Sequence, residues 1–293
     1  MNIYDAIETA AQELYVRALK DIPGDVREAL SVALKNEKAA GEQTAEQVLF
    51  TIIENIETAD TQDTLVCQDT GLPVFKAIIG LPLDVAELES RLRKGCERAT
   101  ASHPLRSNTV HPLTRKHTGT NTGDGIPVIK LEFAPQLGHL RLIMAPKGSG
   151  SENMSFLKML TPAEGVKGIK KFVLQCIFES GAKPCPPMIV GVGLGGTSDV
   201  AMKLAKEAST FRKIGSANAD ADAAALERDL LDKINQTGIG PQGLGGATTA
   251  LAVHVEWAHT HISQNPVAVN IQCWRGERAE ATISANGEIE YAS

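Results

Sequence analysis

Three of the five cysteines stand where the chain changes direction. Cys67 opens "CQDTG", Cys185 lies in "GAKPCPPMIVGVG", and Cys273 closes an apolar run in "NIQCWRG". Each marks a junction between a loop and a regular element, where distant side chains can converge. Thiolates are soft metal ligands. Three of them suit an iron–sulfur cluster held at three of its irons, because full ligation of a four-iron cluster uses four cysteines. An iron without cysteine then has an open position and acts as a Lewis acid toward a hydroxyl and a carboxylate. The residues alone leave a second reading open, that these are buried or incidental thiols. Cys96 and Cys176 fall among apolar residues of helical patterns and read as core thiols. No CxxC pair occurs, which argues against a zinc knuckle or thioredoxin-like centre, and an odd, scattered set is no disulfide framework.

Two further motifs carry weaker chemistry. Gly191, Gly193 and Gly196 spell GxGxxG between an apolar run and a helical pattern. That is half of a dinucleotide fingerprint, and the other half is missing, since no second strand ends in an acid about 20 residues on. These glycines then serve either close backbone approach to an anion or tight packing alone. "HVEWAHTH" gathers His254, Glu256, His259 and His261, but it is not HExxH, and its spacing suits neither a helix face nor a strand face for zinc. His103, His111 and His117 occupy a long polar stretch, "SHPLRSNTVHPLTRKHTGTNTGDGIPV". Loops of this length in a compact domain are often functional, so the three histidines are candidate substrate contacts.

The elements that must position these residues follow from periodicity and punctuation. The first 60 residues read as helices, with Ile3, Ile7, Ala10, Leu14 and Ala18 at helical spacing. Asp25 with Glu28, and Thr44 with Gln47, look like helix starts. "LPVFKAIIGLP" reads as a strand and residues 84–99 as a helix. "IPVIKLEFA" and "HLRLIMAPK" flank "PQLG" and suggest a hairpin. Thr161, Pro162 and Glu164 announce a helix that contains Cys176. "PPMIVGVGLGGTSDVAMKLAKEA" reads as strand, glycine turn and helix. A further helix covers about 222–235, "VAVNIQCW" is a strand, and "AEATISANGEIEYA" is a hairpin about Asn286-Gly287. The expected fold class is mixed α/β (α+β), a helical N-terminal part packed on a domain with mixed sheets and glycine-rich turns. We read 1–293 as one domain, with 1–60 its helical part and 61–293 its cluster- and substrate-binding core.

Composition narrows the function. The 293 residues carry a formal net charge of −6 and 43% hydrophobic residues, ordinary for a soluble globular protein. An acidic balance argues against a nucleic-acid backbone binder. No apolar run reaches the roughly 18 residues of a membrane span. The amphipathic, acid-containing start is unlike a signal peptide, so a cytoplasmic protein is expected.

Together, "CQDTGLPVF", "HPLRSNTVHP", "NTGDGIPV", "APKGSGSENMS", "CPPMIVGVGLGGTSDVAMKLAKEA", "GIGPQGLGG" and "NIQCWRG" resemble the α subunit, or N-terminal domain, of class I iron–sulfur fumarate hydratases. The two-subunit L(+)-tartrate dehydratases are close relatives of that family, and the resemblance covers nearly the whole chain. It implies a [4Fe–4S] cluster on Cys67, Cys185 and Cys273. It also implies that Gln68, Asp69, Arg106 and Gly148 contact a small dicarboxylate, with Gly150 as an alternative to Gly148. Asp69 is placed to move protons, whereas the base is expected on the partner half. That half is a β subunit, expected in an α2β2 assembly, and the hydro-lyase is expected to need it for activity. The expected reaction is reversible hydration of fumarate to (S)-malate, toward which "KGSGSEN" leans. The alternatives are dehydration of L(+)-tartrate, hydration of a related dicarboxylate such as mesaconate, and a non-catalytic cluster-binding scaffold.

Overall fold

The computed structural model describes residues 2–292. They form a mixed α/β fold of the expected α+β class in two compact units. The first unit comprises 1–23, 59–148 and 277–293, and the second 24–58 and 149–276. The first 60 residues are helical as expected: α1 (Ile3–Lys20), α2 (Gly24–Ala40) and α3 (Gln43–Gln62). Helix α1 belongs to the first unit, while α2 and most of α3 belong to the second. Asp25 and Thr44 are inside these helices rather than capping them, and Asp25 Oδ2 instead accepts from the Ile214 N–H at 2.7 Å. Among the described residues no helix is long and apolar enough to cross a membrane.

The first unit is built on β1 (Leu72–Ile79), β2 (Val128–Phe133), β3 (Leu140–Lys147), β8 (Ala279–Ile283) and β9 (Ile289–Tyr291), in the order β2-β1-β3-β8-β9. Helix α4 (Val85–Ser102), capped by Asp84, packs on α1. Leu14, Tyr15, Phe75, Leu88, Leu92, Cys96, Leu142 and Met144 share the core. The expected hairpin of β2 and β3 is not formed. β2 runs parallel to β1 on one side, and β3 runs antiparallel to it on the other. The physical reason lies at "PQLG". Ala134 N–H donates to Ile79 O at 2.9 Å and Gly80 N–H donates to His139 O at 2.9 Å, so the connection straddles the end of β1. A Cβ at Gly80 would stand 2.6 Å from His139 O; only glycine admits that crossing. The closing hairpin, β8 with β9, forms as expected.

The second unit holds β4 (Ser155–Leu160), β5 (Met188–Gly195), β6 (Ala250–Ala258) and β7 (Asn265–Gln272), in the order β4-β7-β5-β6. Helices α6 (Gly165–Ser180), α7 (Ser198–Phe211) and α8 (Ala221–Asn235) match the expected spans closely, and a four-residue α5 (Ser149–Glu152) precedes β4. The turn before α6 carries the predicted capping box, with the Thr161 N–H donating to Glu164 Oε2 at 2.7 Å. Along β5 side chains alternate. Val190 and Val192 join a core with Val173 and Ile177 of α6 and Leu230 and Ile234 of α8. Gly191 and Gly193 face α7, where a Cβ would stand 2.1 Å from Ala205 O and 2.0 Å from Ala201 O. The first two glycines of GxGxxG are therefore strand residues that let a helix lie on the sheet, and the packing reading holds.

This contact makes a stability prediction. Gly193→Ala forces its methyl into the α7 backbone, an overpacking cost of about 3 kcal/mol that lowers the thermal midpoint by roughly 6 °C or more. A midpoint within error of wild type in a melting experiment would show that α7 can shift freely.

Candidate active site

The segment "CQDTG" lies in irregular backbone just before β1, and side chains satisfy the backbone of its Thr70–Gly71 end. Asp69 Oδ1 accepts from the Gly71 N–H at 3.1 Å, closing a tight turn. Gly71 has φ +63, and a Cβ there would stand 2.8 Å from Lys147 N. The turn thus presses against the end of β3, where buried Lys147 pairs with Leu72 and leads into buried Gly148. From α1, Tyr15 Oη donates to Thr70 O at 3.3 Å and Gly71 O at 3.1 Å. Burial, then the nearby Cys96 and Asp69, push the Tyr15 phenol well above its usual range, so it remains a protonated donor.

The long polar loop wraps the other side. Thr70 Oγ1 donates to Arg106 O at 3.2 Å, while Asn108 Nδ2 donates to Thr70 Oγ1 at 3.1 Å and Gly71 O at 3.2 Å. Asn121, fully buried, accepts the Asn108 N–H at 2.9 Å and donates to Arg106 O at 2.9 Å. The first unit therefore brings Cys67, Gln68, Asp69, the Arg106 backbone and the Gly148 strand end into one neighbourhood. The Gln68 and Arg106 side chains are exposed, and the Cys67 thiol lies 3.6 Å from Gln68 Oε1.

The second unit gathers the other two expected ligands. Exposed Cys185 has a left-handed φ of +55; its N–H donates to Ala182 O at 3.1 Å. Its carbonyl accepts from the Trp274 N–H at 3.3 Å, which ties the residue after Cys273 to Cys185. A Cβ at Gly150 would stand 3.0 Å from Lys183 O, so the "GSGSEN" segment also packs at this turn. Ser151 Oγ donates to Gln272 Oε1 at 3.4 Å, next to Cys273. The three cysteines are thus divided, Cys67 in one unit and Cys185 and Cys273 in the other. Among the described residues no three His, Cys, Asp or Glu side chains form a ready-made metal group.

The histidines divide differently. His254 is in the core, with Nδ1 3.0 Å from Ala208 O, which uses it structurally. His111 Nδ1 accepts from the Leu113 and Thr114 N–H groups at 3.2 Å and organises its own turn. Nothing in the sequence marks Tyr15, Asn108 and Asn121 as residues that hold this turn. Tyr15 is hidden in the apolar stripe of α1, and the asparagines look like any loop asparagine.

Comparison with known proteins gives the family. Residues 8–282 match the Fumarate hydratase (Fumerase) family. The chain belongs to the class I fumarate hydratase and tartrate dehydratase α family. It is accordingly a hydro-lyase. A Methanocaldococcus jannaschii protein named "Putative L(+)-tartrate dehydratase subunit alpha" is 44% identical over 287 residues, covering 97% of this chain and 99% of that one. The Escherichia coli K12 L(+)-tartrate dehydratase subunit alpha is 35% identical over 263 residues, 89% of this chain and 86% of its own. A Geobacillus stearothermophilus protein named "Putative fumarate hydratase class I" is 34% identical over 94% of this chain, which spans 55% of that longer protein.

Cysteine environment separates the thiols in a measurable way. Cys67 and Cys273 are half-buried and Cys185 is exposed, whereas Cys96 and Cys176 are buried. Burial pushes the Cys176 thiol up to about 12 and raises Cys96 further in the same direction. In the metal-depleted native chain at pH 8, iodoacetamide followed by peptide mapping should modify Cys67, Cys185 and Cys273 and spare Cys96 and Cys176 until denaturant is added. Early labelling of Cys96 or Cys176 would contradict the burial.

Proposed function

We propose that residues 1–293 act as one α-type domain of a hydro-lyase that binds a [4Fe–4S] cluster through Cys67, Cys185 and Cys273. The donor set fits such a group: three reduced thiols at loop junctions, two of them on turns tied together, with the remaining cysteines spent in the cores. When bound, the cluster supplies a Lewis-acidic iron for a substrate hydroxyl and its neighbouring carboxylate. The chain's own residues then bind and orient. Arg106 pairs with a carboxylate through its planar fork. Gln68 offers an amide, Gly148 offers backbone, and Asp69, held in its turn, moves protons. The base that takes the carbon-bound proton comes from a β subunit. An α2β2 complex in the cytoplasm is the working form.

The substrate reading shifts from the sequence expectation. The single observation that carries it is the 44% identity along essentially the full length of both chains to a protein bearing the tartrate dehydratase α name. L(+)-tartrate therefore stands ahead of fumarate and malate. Loss of one hydroxyl and the hydrogen on the adjacent carbon releases water and leaves the enol of oxaloacetate, which ketonises by moving the enol proton to carbon. Fumarate hydration to (S)-malate is the same chemistry with one hydroxyl fewer; the match to the fumarate hydratase family supports it as the second reading.

The deciding experiment co-expresses the chain with a β subunit of the family under anaerobic conditions, counts iron and sulfide, and compares L(+)-tartrate, (S)-malate and fumarate. Tartrate should lead in kcat/KM by about tenfold or more, since a site that hydrogen-bonds an extra hydroxyl discriminates strongly. A lead for malate and fumarate would restore the fumarase assignment, and turnover of none with a full cluster would make the chain a scaffold. Alanine at Cys67, Cys185 or Cys273 should abolish the cluster, while alanine at Cys96 or Cys176 should keep it.

Arg106 gives a second test. Truncating a guanidinium that pairs with a carboxylate in a closed site costs roughly 2–5 kcal/mol. Arg106→Ala should thus lower kcat/KM by about thirty-fold or more, with iron content unchanged. Arg106→Lys should recover only part, because a point charge lacks the bidentate fork. Unchanged rates with normal iron would reduce Arg106 to a loop residue.

A further inference from the structure

The glycine-rich loop between α8 and β6 has no role so far, yet it is tightly built. Its base is clamped by two acceptors. Fully buried Glu37 of α2 takes the Ala247 N–H at 2.9 Å and the Thr248 N–H at 2.6 Å. Asn235 Oδ1 takes the Thr249 N–H at 2.9 Å and the Ala250 N–H at 2.8 Å. The loop then folds back on itself. Gly245 N–H donates to Ile239 O at 2.9 Å, and a Cβ at Gly240 would stand 2.0 Å from Gly245 O.

The tip of this loop is Gln242. Gly240, Gly243, Gly245 and Gly246 all have positive φ, and so does Gln242, at +53. Gln242 alone among these five keeps a side chain where glycine is the cheaper residue. That side chain is used. Its Nε2 donates to Pro186 O at 3.0 Å, and its backbone N–H donates to the same oxygen at 2.7 Å. Pro186 directly follows Cys185, which itself has a left-handed φ of +55. Two side-chain-bearing residues in sparsely populated backbone conformations thus meet across one carbonyl, and such outliers persist where their surroundings over-determine them. The Cys185 carbonyl is held as well, by the Trp274 N–H at 3.3 Å.

We propose that Gln242 is a positioning residue for Cys185. Its double donation to Pro186 O, braced from behind by Glu37, presets the backbone that aims the Cys185 thiol before any cluster is loaded. This rests on Cys185 being a cluster ligand, as proposed above. Outer partners of this kind orient ligands and tune the affinity of the site.

The test uses the full chain with Gln242→Gly, which keeps the backbone N–H and suits the positive φ, so it removes only the side-chain clamp. Gln242→Ala removes the same clamp while retaining the strain. In the metal-depleted native chain, both variants should raise the rate of Cys185 alkylation by iodoacetamide about five-fold, the share of one hydrogen bond, with Cys67 unchanged. The Gln242→Gly chain should melt at the wild-type temperature. After anaerobic reconstitution it should lose iron in air faster by a similar factor, followed as the rise of a three-iron signal in electron paramagnetic resonance. An unchanged Cys185 rate in Gln242→Gly, or equal changes at Cys67 and Cys185, overturns the proposal. A wild-type chain that takes up no iron overturns the cluster assignment instead, and the alkylation ratio still decides the role of Gln242.

Discussion

A turn that belongs to no helix or strand must satisfy its backbone from elsewhere, and at Thr70 and Gly71 the "CQDTG" turn does so through side chains. Tyr15 supplies a donor from α1, Asn108 another from the polar loop, and Asp69 accepts the Gly71 N–H from within. Most of the first unit's local design follows from this need. The phenol has to be buried to reach Thr70 and Gly71, which places Tyr15 in the middle of the α1 core. The polar loop has to be long because it must reach Thr70 with Arg106 O and return to hold that carbonyl with Asn121. Gly71 has to be glycine because the turn approaches the Lys147 backbone too closely for a Cβ. A network of this kind, with its members mutually bonded, is costly to break at any one point.

The second unit solves the same problem by backbone geometry. Cys185 sits on a strained turn whose neighbouring carbonyls are claimed by Trp274 and Gln242. Strain of this sort persists only when packing enforces it, and Gly150 and Gly243 let two other segments come close enough to do so. One residue type thus serves two purposes in this chain. Cys96 and Cys176, surrounded by apolar side chains, hold their protons far above neutral pH. The three junction thiols lie outside both hydrophobic cores.

Malate and tartrate differ by a single hydroxyl. An apolar pocket wall rejects an added hydroxyl weakly, whereas buried polar groups left unpaired reject its absence strongly. The distinction between the two readings of this enzyme therefore lies in one or two hydrogen-bonding groups. The thiols and Arg106 proposed above would serve either substrate in the same roles.

Much of this was legible from residue order. Helices with caps and regular apolar spacing, such as α4, α6 and α8, could be placed because their signals are local. The three junction cysteines were separable from the two core thiols for the same reason, as flanking glycine and proline or an apolar helical face lie within a few residues. What residue order could not decide was whatever depends on a partner distant in sequence. "PQLG" between two strands looks like a hairpin turn, but β1 inserts between them, because hydrogen bonds from Gly80 and Ala134 pull the connection over its end. The contiguous helical start is shared between two units, since helix formation is local while helix packing is not. Sequence left Gly191 and Gly193 open between anion approach and packing, and only the sheet, which places α7 against them, decides for packing. Tyr15, Asn121, Glu37 and Gln242 are ordinary by type and spacing; only the fold brings each to the carbonyl or amide it serves, across tens to hundreds of residues that no local pattern spans.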